Sequence, residues 1–166
     1  MAAQATQVVN LKKKFGQECD VYIGRRMFMG GHRLMESQWA NPFKLSQYKL
    51  EDSLLKYWDY VTLNPLLMDQ IHELEGKRLG CWCVTPHCAQ CGASRFPTRQ
   101  CGHLECHGDM LAHIIHNFRC TRCNKLLKRH SNGYQVKCTN SGCEDLIFAI
   151  CGVEVVEVDP EVNMDE

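Results

Sequence analysis

Residues 80–109 read GCWCVTPHCAQCGASRFPTRQCGHLECHGD and contain six cysteines and three histidines, most of them at short spacing. Ten of the twelve cysteines in the chain lie between positions 81 and 143. Zinc is held tetrahedrally by four Cys or His side chains, and closely spaced pairs let two backbone turns converge on one ion. The density of such pairs predicts a zinc protein.

Disulfides and iron–sulfur clusters are the alternatives for so many cysteines. The N-terminal sequence MAAQATQVVNLKKKF has no charged segment followed by a long apolar stretch, so we expect no secretory signal. We therefore expect an intracellular location, cytoplasm or nucleus, where disulfides are rare. Histidines beside the cysteines favour zinc over an iron–sulfur cluster. No apolar run approaches the roughly eighteen residues of a membrane span, so no membrane partner is expected.

Charge is unevenly distributed although the formal net charge is zero. Residues 117–137 contain six bases and no acid, which predicts a surface for a polyanion such as nucleic acid. These bases are Arg119, Arg122, Lys125, Lys128, Arg129 and Lys137. The tail from Glu154 to Glu166 contains six acids and no base, and we expect a solubilising, partly disordered end.

Strand and helix patterns alternate along the first two thirds of the chain. Short apolar runs predict strands at residues 8–11, 20–24 and 77–83, and helical spacing predicts helices from about residue 51, from 65 to 76 and from 108 to 118. The apolar stripes expected on these helices are Leu54, Leu55, Trp58, Thr62; Leu66, Leu67, Ile71, Leu74; and Met110, Leu111, Ile114, Ile115, Phe118. The pattern predicts an α/β fold with a small mixed sheet and three helices.

The C-terminal cysteines form two pairs, Cys120-x2-Cys123 and Cys138-x4-Cys143, separated by fourteen residues. This spacing predicts a zinc ribbon with Asn132-Gly133 as its hairpin turn. Residues 119–127 and 135–138 resemble the Com-like zinc ribbon of phage Mu. Because Com-like ribbons bind RNA, the resemblance implies that the bases of this segment contact phosphates. The alternative is a ribbon that only stabilises the fold, with its bases in solvent.

The preceding part of the chain, about residues 8–118, resembles domain of unknown function 4326. The motifs that carry the resemblance are Tyr22-Ile-Gly-Arg25, Trp39-Ala-Asn-Pro-Phe43, Lys56-Tyr57, Leu74-Glu-Gly-Lys-Arg-Leu-Gly-Cys-Trp-Cys83 and Cys106-His-Gly-Asp-Met-Leu111. The family occurs in phages, bacteria, some eukaryotes and their viruses, so a viral or phage-like protein acting in a host cell is one expectation. The resemblance implies a fold and candidate positions, and no reaction.

An insert at about residues 84–106 separates the two parts of the family's Cys-Trp-Cys and Cys-His-Gly-Asp pattern. We predict one zinc site in this insert, with Cys106 in place of His103 as the main alternative. The remaining cysteines and histidine form the family's own cluster and a candidate third metal site, so two or three zinc ions are expected. The insert ligands are Cys88, Cys91, Cys101 and His103; the family cluster is Cys81, Cys83, Cys106 and His107.

Two further hypotheses concern the segment that begins the third predicted helix. Cys106 beside His107 is a candidate nucleophile, although Asp109 in the first turn opposes a thiolate. Alternatively, Arg25, Asn41, His107 and Asp109 line a pocket for a phosphate-bearing ligand, because ligands of α/β sheets bind where strand ends meet loops. Structural roles, with Asn41 in a turn and Asp109 as a helix cap, are the competing interpretation.

We predict three segments: a small α/β domain at residues 1–118 with the zinc-knuckle insert, a zinc ribbon and β-hairpin at 119–158, and an acidic tail at 159–166. The leading functional hypothesis is a zinc-binding protein whose basic ribbon contacts nucleic acid, RNA favoured, or a nucleotide-bearing complex. An enzyme acting on a nucleotide or nucleic acid near Arg25, Cys106 and His107 is the second hypothesis. A structural component of a larger protein assembly, for instance a viral particle, is the third.

Overall fold

The computed structural model describes residues 5–12, 16–95, 101–120, 122–125, 127–129, 135–138, 140–143 and 147–149. The chain divides into two compact units, Met1–Asn117 and Phe118–Glu166. Across the described ranges, every helix is too short or too polar to cross a membrane.

A three-stranded parallel sheet lies at the centre of the first unit. Its strands are β1 (Gln7–Asn10), β2 (Val21–Tyr22) and β3 (Arg78–Cys81), in the order β1-β3-β2. Leu79 of β3 lies opposite Val8 on one side and Val21 on the other. The predicted α/β class is therefore confirmed, but the sheet is parallel rather than mixed. Because all three strands run in one direction, their carboxyl ends share one edge.

The central strand is shorter than the sequence predicted. β3 ends at Cys81, which is buried, and the exposed Cys83 belongs to the loop that follows. The two thiols of the Cys-Trp-Cys motif therefore do not lie on one strand. β2 is half-buried.

The described part of the first unit has three helices. They are α1 (Leu50–Thr62), α2 (Pro65–Gln70), which a 3₁₀ turn at Ile71–Leu74 continues, and α3 (His107–Asn117). Asn64 caps the start of α2, because its side chain accepts hydrogen bonds from the N–H groups of Leu66 and Leu67, and proline occupies the first helical position.

The buried face of α1 differs from the prediction. Leu54, Tyr57 and Val61 are buried, and the Tyr57 hydroxyl donates a 2.7 Å hydrogen bond to the carbonyl of Trp39. Leu55 was expected in the core, yet 65% of it is exposed, because it lies about 100° around the helix from Leu54. Leu66 of α2, also expected in the core, is 71% exposed.

α3 packs directly on the sheet, with Leu111, Ile114 and Ile115 fully buried. Its first turn approaches the sheet closely at Gly108. A Cβ atom there would lie 2.7 Å from Val8 Cγ1 and 2.9 Å from Ile23 Cδ1. Glycine is therefore the only residue that permits this approach without displacing the helix.

The second unit contains a small antiparallel sheet. Its strands are β4 (Lys128–Arg129), β5 (Gln135–Lys137) and β6 (Ile147–Ala149), in that order, and a 3₁₀ turn at Ser141–Cys143 precedes β6. The predicted Asn132-Gly133 turn and the acidic tail at 159–166 lie outside the described residues.

Candidate metal centres and strand-end cavity

Four side chains of the insert converge on one point and form the insert cluster: Cys88, Cys91, Cys101 and His103. Their ligand atoms all lie within 4.8 Å of one another, and Cys88 Sγ is 3.4 Å from His103 Nδ1. On a tetrahedral zinc with Zn–S and Zn–N distances of about 2.3 and 2.05 Å, sulfur and nitrogen lie about 3.5 Å apart. Cys106, the alternative to His103, is not part of this group.

A second group, the four-cysteine cluster, lies in the second unit and comprises Cys120, Cys123, Cys138 and Cys143. Cys123 Sγ is 3.5 Å from Cys138 Sγ. Two sulfurs on one tetrahedral zinc lie about 3.8 Å apart, whereas a disulfide requires about 2.05 Å. The backbone N–H of Asn140 donates a hydrogen bond to Cys138 Sγ at 3.4 Å. All cysteines in the described ranges are free of disulfides.

The two Cys-x2-Cys turns share one backbone geometry. In the insert cluster, the Cys88 N–H donates to the Ala93 carbonyl at 2.9 Å, and the Gly92 N–H donates to the Cys88 carbonyl at 2.8 Å. The equivalent bonds of the turn that begins at Cys120 also measure 2.9 and 2.8 Å, with Asn124 in place of Gly92. Both residues have left-handed backbones, with φ of 71° and 58°. Gly and Asn adopt this conformation most readily, so the residue after each second cysteine is a signal that spacing alone missed.

Electrostatics within each cluster favour one thiolate over the others. Burial raises the pKa of Cys88 to about 11, whereas a hydrogen bond from the His103 backbone N–H is the main cause that lowers the pKa of Cys101 to about 7. Burial also raises the pKa of Cys138, to about 12. For Cys120, burial raises the pKa, but hydrogen bonds from the backbone N–H groups of Cys123 and Arg122 and from the thiols of Cys123 and Cys138 together lower it to about 7. A divalent cation stabilises the remaining thiolates, so each cluster can hold one metal ion and each donor set suits zinc.

A cavity of about 560 Å³, the strand-end cavity, opens at the carboxyl ends of β2 and β3. Residues after β2, residues after β3 and the start of α3 form its walls. Four of the predicted site residues line it together: Arg25, Asn41, Cys106 and His107. The fold therefore gathers at one place side chains that are far apart in the sequence.

Asp109, the fifth predicted member of this pocket, does not line it. Its carboxylate is buried and pairs with Arg95 Nη2 at 2.5 Å. It also accepts a 2.9 Å hydrogen bond from the Glu105 N–H. The structure thus gives Asp109 a buried partner that the sequence analysis missed, because nothing in the pattern of the insert distinguished Arg95 from a solvent-exposed arginine.

His107 is held in one orientation. Its Nε2 lies 2.7 Å from the carbonyl oxygen of Ile23, and the edge of the Tyr57 ring packs against it with centroids 5.5 Å apart. Because a carbonyl oxygen only accepts hydrogen bonds, Nε2 carries the proton, and Nδ1 is an acceptor in the neutral ring. The Cys83 pKa is raised to about 12, chiefly by its hydrogen bond with Cys81, while a hydrogen bond with His107 opposes this rise.

The family's cysteine cluster contains one close pair of thiols. Cys81 Sγ lies 3.9 Å from Cys106 Sγ, and this hydrogen bond is the main cause that raises the Cys81 pKa. Among the described residues, only the insert cluster and the four-cysteine cluster bring three or more ligand atoms within 4.8 Å of one another. A third metal site formed by Cys81, Cys83, Cys106 and His107 stays a prediction.

Asn41 lines the strand-end cavity, and both ends of its amide are engaged. Its Nδ2 donates to Ser53 Oγ at 2.9 Å, and its Oδ1 accepts from the Phe43 N–H at 2.9 Å. Ser53 in turn donates to the Phe43 carbonyl at 2.7 Å. Asn41 therefore ties the loop before α1 to that helix and sets the position of Phe43.

Three of the predicted nucleic-acid-binding bases surround the four-cysteine cluster. Arg119 donates to the Asn124 carbonyl at 2.9 Å, and Lys125 donates to Asn140 Oδ1 at 3.1 Å. Arg122 donates to the Gly142 carbonyl at 3.3 Å. The side chains of Lys128, Arg129 and Lys137 lie outside the described part of the structure, although their backbones belong to β4 and β5.

Comparison with known proteins adds a family and a viral relative. Residues 9–117 match the family model described as Domain of unknown function (DUF4326). An uncharacterized protein of Acanthamoeba polyphaga mimivirus is 45% identical over 76 residues, which are 45% of this chain and 58% of that protein. The match thus spans less than two thirds of the viral protein. No solved structure matches the chain.

Proposed function

We propose that this chain, which belongs to the DUF4326 family, is a zinc-binding protein with two structural zinc ions, and that its second unit contacts nucleic acid. The observation that carries the zinc proposal is the convergence of two sets of four ligand atoms at separations close to the edges of a zinc tetrahedron. Four protein ligands leave no position for water or substrate, which is typical of structural rather than catalytic zinc.

The composition of the insert supports a structural role for its metal. Between Thr85 and Ser94 the only buried residue is Cys88, one of the four ligands. A segment that buries so little apolar surface does not offset the conformational entropy lost on ordering, about 1–2 kcal/mol per residue for the backbone alone. Metal binding supplies this free energy in small modules of the same kind.

The basic segment at residues 117–137 supports contact with nucleic acid. Six bases and no acid occur in residues 117–137, which is also the segment that resembles a Com-like ribbon. Arg122 and Lys125 hydrogen-bond to a carbonyl and an amide oxygen, which carry no formal charge. A fixed group of cations around a rigid metal cluster suits the phosphates of a single-stranded RNA.

Metal analysis of the purified chain, paired with an RNA retention assay, tests both parts. We expect two zinc ions per chain. Reversal of Lys125, Lys128 and Arg129 to glutamate should leave the zinc count unchanged and abolish retention of a mixed-sequence single-stranded RNA. The matched control reverses three exposed bases of the first unit, Lys12, Arg33 and Lys49, which are expected to have no effect.

The outcomes separate the two claims. Unchanged RNA retention after reversal of the three ribbon bases would reject the nucleic-acid proposal and leave the zinc proposal standing. A chain that purifies with no zinc, and that gains no stability on zinc addition, would reject the zinc proposal. Equal loss of retention in the control variant would mean that net charge, and not the second unit, governs binding.

A further inference from the structure

The strand-end cavity in the first unit has no role in the function proposed above. We propose that this cavity binds a nucleoside phosphate, with Arg25 at the phosphate and an aromatic wall at the base. The inference rests on residues of the first unit and is independent of contact between the second unit and nucleic acid.

Position and size both suit a small ligand. The cavity lies beyond the carboxyl ends of two parallel strands, where open α/β sheets bind their ligands. Its volume of about 560 Å³ falls in the range of roughly 300–1,000 Å³ that is usual for small-molecule sites.

The lining of the cavity carries an excess of positive charge. Arg25, Arg26 and Lys44 line it together with two acids, Glu36 and Glu105. Glu105 shares Arg95 with Asp109: its Oε2 accepts from Arg95 at 2.8 Å, and its Oε1 accepts from a backbone N–H at 2.8 Å. This triad therefore keeps one net negative charge, and the three cations of the lining exceed its two carboxylates by one. Such a surface favours an anionic ligand such as a phosphate ester.

Arg25 is held at the mouth of this cavity by its backbone. The Trp82 indole N–H donates to Tyr22 Oη at 3.0 Å, and that hydroxyl donates to the Arg25 carbonyl at 2.5 Å. This chain of hydrogen bonds links the ends of β2 and β3. Within the described ranges, the Arg25 guanidinium itself has no hydrogen-bond or ion-pair partner, so all of its donors remain for an anion.

Part of the cavity wall is aromatic and aliphatic. Phe43, Leu50 and Leu54 line the cavity, and the Phe43 ring is braced edge-on by Tyr48 and Tyr60 with centroids 5.8 and 6.2 Å apart. Asn41 fixes the backbone of Phe43, as described above. An apolar ring held in place beside a cationic mouth matches a molecule with a planar base at one end and a phosphate at the other. Inorganic phosphate would use only the cationic half of the site.

Isothermal titration of the zinc-loaded full-length chain tests the inference. The ligands are AMP, GMP, CMP and UMP, with inorganic phosphate and adenosine as separate arms. The protein carries the glutamate reversals at Lys125, Lys128 and Arg129, so any polyanion affinity of the second unit is removed. We expect at least one nucleotide to bind about ten-fold or more tightly than phosphate or adenosine alone.

Arg25→Ala should weaken this binding by about ten- to a hundred-fold, since a charged hydrogen-bonded pair is lost. The control is Arg33→Ala, an exposed arginine of the same loop that lines a different, smaller cavity. A thermal melt confirms that both variants fold. In the unsubstituted chain, the NMR signal of Arg25 Nε–H should shift on addition of the nucleotide, which tests the contact without any mutation.

Loss of binding in Arg25→Ala with retention in Arg33→Ala supports the inference, as does the Arg25 shift. Three results overturn it: no nucleotide binding by a fully zinc-loaded chain, equal weakening by both substitutions, or inorganic phosphate binding as tightly as the nucleotides. None of these results bears on the RNA retention assay, so this inference and the proposed function fail separately.

Discussion

Replacement of Arg95 by methionine tests whether a buried ion triad attaches the insert to α3. The Arg95 side chain is 3% exposed, and it bridges Glu105 at 2.8 Å and Asp109 at 2.5 Å. Asp109 belongs to the first turn of α3, whereas Glu105 also accepts a hydrogen bond from the N–H of Ala89 in the insert. Removal of the guanidinium therefore affects two elements at once.

The expected loss of stability is large because Asp109 cannot reach water, with 1% of its side chain exposed. Breaking a buried pair by removing one partner costs about 3–5 kcal/mol, since the other charge stays buried without compensation. Domains of this size unfold with a free energy of about 5–15 kcal/mol, so the single substitution should remove a large share of it. The double variant Arg95→Met with Asp109→Asn should recover most of the loss, because the fully buried carboxylate is then neutral, while Glu105, which is 12% exposed, keeps its hydrogen bond from the Ala89 N–H.

Urea unfolding of the zinc-loaded chain measures these differences, with Arg33→Met as the control. Because Arg33 is exposed, that change should stay within about 0.5 kcal/mol of the unsubstituted chain. Two results would refute the argument that Arg95 compensates a buried Asp109 carboxylate. One is a loss below about 1 kcal/mol for Arg95→Met, and the other is a double variant no more stable than the single one.

Three other expectations follow from the structure. Cys91→Ser should lower the zinc count from two to one; an unchanged count would show that Cys91 is not a ligand. Gly108→Ala should reduce the unfolding free energy in urea by about 1–3 kcal/mol, because its methyl group would overlap Val8. Gly102→Ala is the control: its Cβ would meet nothing within 4 Å, so its unfolding free energy should be unchanged. Hydrogen bonds from Arg78 lower the Asp20 pKa to about 2, so this pair stabilises the fold above pH 4, and the stabilisation is lost as the pH falls towards 2. The difference in melting temperature between the unsubstituted chain and Asp20→Asn should therefore shrink between pH 4 and pH 2. A constant difference would argue against the pair.

The helices illustrate how far sequence patterns reach. Asn64 followed by a proline encoded the start of α2, because both the cap and the first turn depend on adjacent residues. The sequence pattern predicted the buried face of α1 less accurately than it predicted the start of α2. Leu54 and Leu55 are equally apolar, and only packing decided that Leu54 faces the core while Leu55 faces solvent. Periodicity defines a stripe to within about one residue, or 100° of helix, and tertiary contacts select among the possible stripes.

The site residues differ in the same way. Arg25, Asn41 and His107 were grouped because ligands of α/β sheets bind where strand ends meet loops, and all three line one cavity. Asp109 was grouped with them by the same argument. Its carboxylate instead pairs with the buried Arg95 and does not line the cavity. At the start of a helix successive side chains point in different directions, and the position of a strand end does not distinguish them.

By itself, the sequence determined the local metal chemistry: two Cys-x2-Cys turns, each followed by a residue that tolerates a left-handed backbone, bring paired thiols together within six consecutive residues. Only the tertiary structure decided that Arg95 is buried against Asp109, that Cys81 lies beside Cys106, and that Arg25 and Phe43 face one cavity. The physical reason is that a turn is stabilised by hydrogen bonds among neighbours, whereas distant side chains meet only after parallel strand pairing and helix packing have folded the chain back on itself.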